Sequence, residues 1–180
     1  MTDIAKSAVI HPGVELGENV IIEDFCIVGL PSSGVENTKT IIGDNALIRA
    51  GTYIYAGNTI GRNFATGNKV NIRECNQIGD DVSIGTLTVV EHHVQIGNGV
   101  RIHSQVFVPE YTLVEENSWI GPNVVVTNAH FPKHPDAKAN LKGAQIHRNA
   151  KVGANVTLLP GVSVGENCLS AGSVVTKDVP

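Results

Sequence analysis

Glu74, His92, Glu110 and Asn128 follow one another at intervals of eighteen residues. An imidazole between two carboxylates suits proton transfer near neutral pH, because histidine changes charge there and a carboxylate can orient its ring. A fold that stacks every eighteenth residue would set these four in a line. His130 lies in a polar stretch, NAHFPKHPDAKANLKG, that also carries His134 and several lysines. The remaining histidines promise less. His11, His103 and His147 each follow an aliphatic residue and are expected on the outer surface or in subunit contacts. His93 stands one step further round the turn than His92. Cys26, Cys75 and Cys168 are odd in number and far apart. They suit neither a disulfide framework nor a metal knuckle, so a reducing cytoplasm is expected.

The element that would hold such a line is written in the aliphatic residues. The chain has 180 residues, 42% hydrophobic and only 4% aromatic. It holds 24 Val and 17 Ile against 9 Leu, a balance that favours strands over helices. Its 19 Gly and 16 Asn tolerate positive φ and predict frequent turns. The turns keep time. From Ile42 through Ile48, Ile54, Ile60, Thr66, Ile72 and onward to Val126, each sixth residue is Ile or Val, Thr66 alone excepted. A second register runs Ile4, Ile10, Leu16, Ile22, Val28, and a third Ile146, Val152, Leu158, Val164, Ser170, Thr176. Six residues turn an α-helix through about 600° and scatter the side chains, whereas in strands they return to the same face. The pattern is a hexapeptide repeat of a parallel β-helix.

Three hexads per coil predict about eight to nine coils over one domain, residues 1–180, with columns of residues eighteen apart and ~4.8 Å between neighbours. The registers break twice, giving loops at about residues 30–39 and 129–143. Both leave the coil at the corner that carries Glu74, His92, Glu110 and Asn128, and long loops on a rigid repeat are where function concentrates. Thirteen basic against seventeen acidic residues exclude the basic stripe of a general nucleic-acid binder. No apolar run reaches the ~18 residues of a membrane span, and the first residues lack a signal-peptide pattern.

The repeat resembles the left-handed β-helix family, and its handedness comes from that resemblance. The segments IIGDNALIRAGTYIYAGNTIGRNFATGNKVNIRE, IGDDVSIGTLTVVE, WIGPNVVVTN and GANVTLLPGVSVGENCLSAGSVVTKDVP resemble bacterial N-acetyltransferases that act on nucleotide-linked amino sugars in lipopolysaccharide and glycan pathways. The resemblance implies a homotrimer with active sites between neighbouring helices and acetyl-CoA as acyl donor, with no metal. It implies Gly153, Ala154, Ala171, Gly172 and Lys177 along the CoA path, and Asn68, Arg73, Glu74 and Asn128 near the acceptor amine. The proton of that amine falls to His130, to His92 or to the departing CoA thiolate, and these three stay open. Relatives often carry a histidine where this chain has Asn68 and continue past VTKDVP, where this chain ends. Three other readings share the fold: O-acetyl transfer to a sugar or serine hydroxyl, a γ-carbonic-anhydrase-like metal lyase, whose histidine spacing His92, His93 and His103 lack, and a non-catalytic trimeric scaffold.

Overall fold

The computed structural model describes residues 1–33, 35 and 38–180. Its strands form three parallel sheets of nine, nine and eight strands, each strand paired with the one a coil before and a coil after. The first face runs from Asp3–Ile4 to Leu169–Ser170, the second from Val9–Ile10 to Val174–Val175, and the third from Val14–Leu16 to Ser163–Val164. This is the triangular left-handed β-helix of hexapeptide repeats, with the eight to nine coils that the period predicts. Ile72 pairs with Ile54 and Val90, and Val90 with Val108, so residues eighteen apart do stack.

The sixth-residue aliphatics point inward and are buried from Ile22 to Val164, and so are the residues two before them, such as Val70, Val82, Val100 and Val156. Each such side chain contributes about 1.5–3 kcal/mol through burial. Thr66 is inward as expected, and its hydroxyl accepts the Arg49 N–H at 2.9 Å. The third register slips in its last coil. Leu158 pairs with Val175 and not with Thr176, and Thr176 is exposed. The turn after Ser170 is one residue shorter than its neighbour, which half-buries an aliphatic in place of a hydroxyl.

The glycine after many of the aliphatics reflects crowding between coils. A Cβ on Gly43 would lie 2.7 Å from the carbonyl carbon of Gly61. At the corner between the third and first faces, Asn19, Asn45, Asn63, Asn117, Asn149 and Asn167 take positive φ, the region that Asn enters at least cost. Their amides bond along the column, as from Asn45 Nδ2 to Asn63 Oδ1 at 3.1 Å.

Two insertions interrupt the coils, between Leu30 and Thr40 and between Val126 and Gln145. Both depart between the second and third faces. Gly34, Glu36 and Asn37 of the first lie outside the described residues. The second is closed by the Lys142 N–H on the Asn128 carbonyl at 2.8 Å and contains one turn of 3₁₀ helix, Lys138–Asn140.

Candidate functional site

The corner after the second face assembles its side chains from successive coils. Strands ending at Ile72, Val90, Val108 and Val126 are each followed, two residues on, by Glu74, His92, Glu110 and Asn128. Asn128 Nδ2 donates to Glu110 Oε2 at 2.6 Å, and Glu110 Oε1 lies 3.5 Å from His92 Nε2. A proton on His92 Nε2 therefore faces a carboxylate. His92 Nδ1 stands 2.7 Å from His93 Nδ1, and in the tautomer that puts the proton on His92 Nε2 it accepts from His93. That order leaves Nε2 of His93 unprotonated. Tyr111 closes the group, its ring centroid 5.8 Å from that of His93.

Glu74 is the most enclosed member, 9% exposed. Arg73 grips it with two hydrogen bonds, Nε to Oε2 at 2.8 Å and Nη2 to Oε1 at 3.0 Å. Burial pushes the Glu74 carboxyl up, but the Arg73 fork, a backbone hydrogen bond and the fields of Arg73 and His92 outweigh it, so its pKa lies below the ordinary value. Arg73 also lies 3.6 Å from Glu91 and stacks over Tyr55, 5.0 Å from the ring centroid. The first insertion reaches the same place, where the Ser32 hydroxyl donates to Glu74 Oε1 at 3.3 Å.

The other sequence-predicted residues are distributed differently. His130 is exposed on the second insertion and lines a cavity of about 410 Å³ with Phe131, His134 and Asn140. Asn68 sits at the corner between the first and second faces, where its N–H donates to Thr86 Oγ1 at 3.2 Å. Within one chain it does not join Glu74 and Asn128. Gly153, Ala154, Ala171 and Gly172 occupy that same corner in the last coils, whereas Lys177 follows the last strand of the second face. His103 stands against Trp119 at the first corner, ring centroids 4.8 Å apart, apart from His92 and His93. Burial and the neighbouring Arg101 lower its pKa. Sequence reasoning set His93 aside, and the signal for it was its adjacency to His92. The arrangement offers a proton acceptor beside hydrogen-bonding carboxylate and amide groups, in reach of two loops.

The outer surface of the second face is mostly apolar, with Asn71 and Thr157 as its polar positions. Val9, Tyr53, Phe107, Val125 and Val174 are exposed along it, and between Tyr53 and Val89 the Asn71 Oδ1 is buried with no hydrogen-bond partner among the described residues.

Comparison with known proteins agrees with this architecture. The family described as bacterial transferase hexapeptide (six repeats) matches residues 77–110, and the hexapeptide repeat of succinyl-transferase matches residues 19–56 and 143–177. The chain is 30% identical over 178 residues to the bifunctional protein GlmU of Listeria monocytogenes (strain HCC23), covering 98% of this chain and 36% of that protein. It is 29% identical over 184 residues to GlmU of Anaplasma marginale (strain Florida), covering 99% and 35%. The chain thus spans about a third of the length of these relatives. Among solved structures, LpxA of Acinetobacter baumannii superposes with a TM-score of 0.51 at 17% identity, over 90% of this chain and 64% of that one. That likeness concerns the fold.

Proposed function

We propose, from the premise that the chain belongs to the bacterial hexapeptide-repeat transferases, that it moves an acetyl group from acetyl-CoA to the amine of a nucleotide-linked amino sugar. The observation that carries this reading is the corner between the second and third faces. There Glu110 lies 3.5 Å from His92, the Arg73 fork grips Glu74, and both insertions depart. In this reading Glu74 and Asn128 orient the acceptor amine. The paired imidazoles of His92 and His93 take its proton as the carbonyl carbon is attacked, the carbon–sulfur bond breaks, and the imidazole returns the proton to sulfur so that CoA leaves as the thiol. His130, on the loop, is the alternative proton acceptor.

The active assembly is a homotrimer that joins the apolar second face of one copy to another. Such packing brings the first corner, with Asn68 and the small residues Gly153, Ala154, Ala171 and Gly172, toward a neighbour's ladder, where CoA would lie. Lys177 would meet a CoA phosphate. The three free cysteines suit a reducing cytoplasm. Incubation with acetyl-CoA and a panel of nucleotide amino sugars, read by free thiol release and product mass, tests the reading. Acetylated product from at least one sugar is expected, with the rate lowered about 10²–10⁴-fold in His92→Ala and CoA affinity unchanged in Asn128→Ala. CoA binding without product from any amine, or transfer only to hydroxyls, would replace it.

A further inference from the structure

Glu115, His147 and Ser163 form a second polar array, at the edge between the third and first faces and away from the ladder. Glu115 Oε1 lies 3.1 Å from His147 Nδ1, and His147 Nε2 lies 2.9 Å from Ser163 Oγ. Glu115 Oε2 accepts the Arg148 N–H at 3.0 Å, which fixes the carboxylate. All three side chains are partly buried. Burial raises the Glu115 carboxyl, and the hydrogen bonds from His147 and Arg148 more than offset it, leaving it below its ordinary value. An ionised carboxylate accepts from Nδ1–H, so the Nε2 lone pair faces the Ser163 hydroxyl. Acid, imidazole and hydroxyl on opposite ring nitrogens is the order in which a serine is made nucleophilic.

The backbone of Ser163 is clamped on both sides. Its N–H donates to Asp178 Oδ1 at 2.8 Å, and its carbonyl accepts the Val179 N–H at 2.9 Å. That N–H is therefore committed and does not serve an oxyanion. Gln145 is the strand partner of Ser163 on the same outer face, which puts a side-chain amide one strand away as the candidate donor to a developing oxyanion. A groove of about 470 Å³ lined by Gln77, Gln95, Leu113, Glu115 and Arg148 meets the array at Glu115, while His147 and Ser163 lie outside its lining. Side-chain amides in a row hydrogen-bond hydroxyl groups in either direction.

We infer that Ser163, His147 and Glu115 form a second, esterase-type site that cleaves acyl esters of polyhydroxylated alcohols. Ser163 Oγ attacks the ester carbonyl carbon, and His147 Nε2 takes the serine proton. The carbon–oxygen bond to the alcohol breaks, and His147 returns the proton to the leaving oxygen. Water then attacks the acyl-serine through the same imidazole, which releases the carboxylic acid and restores Ser163. Ester and water become acid and alcohol, and no further reactant is needed.

The test uses a fluorophosphonate probe and p-nitrophenyl acetate on the intact chain, with peptide mass mapping of the labelled residue. Phosphonate on Ser163 and a burst of p-nitrophenolate are expected in the wild type. Both disappear in Ser163→Ala, and the burst rate falls about 10²–10⁴-fold in His147→Gln. Melting temperatures confirm that the variants fold. A folded wild type that takes no phosphonate at Ser163 overturns the inference. So does labelling at an equal rate in His147→Gln, which marks Ser163 as a merely accessible hydroxyl. The amine-acetylation assay reads the other corner, so either result there leaves this one unmoved.

Discussion

Arg73 and Glu74 show how one ion pair can set a residue for chemistry and for stability at once. Glu74 is nearly enclosed, and its compensation is the bidentate guanidinium. Removing Arg73 leaves a buried charged acceptor short of its partner, which costs about 1–3 kcal/mol. The sign of the pH dependence follows from the lowered Glu74 pKa. A carboxyl held below its unfolded value stabilises the fold fully above the unfolded pKa of ~4.3, and that stabilisation is lost as pH falls through the folded value. Arg73→Ala is therefore expected to lower the denaturation midpoint at pH 7, and to flatten the decline of stability between pH 7 and acid. Urea unfolding at the two pH values measures both. Sequence reached this site only partly. Glu74, His92, Glu110 and Asn128 were legible because eighteen-residue spacing becomes adjacency in a stacked coil. The Arg73 fork was not, since it depends on which way a long side chain turns. The Glu115–His147–Ser163 array was hidden for a different reason. His147 follows Glu115 by 32 residues and Ser163 follows it by 16, so the second insertion breaks the count that would have joined the first pair.

At the scale of the strand and turn, each corner needs a residue in the left-handed region, and the corners differ in what fills it. Asparagine serves between the third and first faces, as at Asn63 and Asn149. Between the first and second faces the same position holds Lys69, Leu87, Gln105, Asn123 and Asn155. Leu87 has φ of +61° and is 48% exposed, so it has strain without compensating burial. A left-handed residue other than Gly or Asn costs roughly 1–2 kcal/mol. Leu87→Asn is expected to raise stability by up to about 1 kcal/mol, seen as a higher urea midpoint at an unchanged slope. An unchanged or lowered midpoint would show that Leu87 contributes packing that outweighs its backbone. The period of six made the strands, the turns and both insertions legible, because alternation and coil length are properties of the backbone. It failed at Thr176, where the final coil drops a residue and turns Val175 inward.

At the scale of the whole molecule, the three faces are chemically unequal. The third presents Thr59, Gln77, Gln95 and Gln145 to the outside, and the second presents Val9, Tyr53, Phe107, Val125 and Val174. Side chains on neighbouring strands of one sheet lie ~4.8 Å apart, so this group, with Ile27 and Val89 between its members, makes an apolar stripe along the helix that is broken at Asn71 and Thr157. Contiguous apolar surface rimmed by polar groups marks an association site. The Asn71 side chain lies within that stripe, its Oδ1 buried beneath the surface. The corner with Glu74 and His92 borders the same face, so assembly and the proposed acetyl transfer are linked. Phe107 is 38% exposed and central in the stripe. Phe107→Glu places a charge in the contact without touching the buried core behind Val108, and a charge desolvated without a partner is strongly disfavoured. The expected outcome is a shift from trimer to monomer in sedimentation velocity, with the melting temperature lowered by no more than the lost association explains. Acetyl transfer should fall with the trimer fraction and recover as protein concentration rises. A wild type that sediments as a monomer at micromolar concentration would remove the shared site, and a trimeric Phe107→Glu would move the contact to another face.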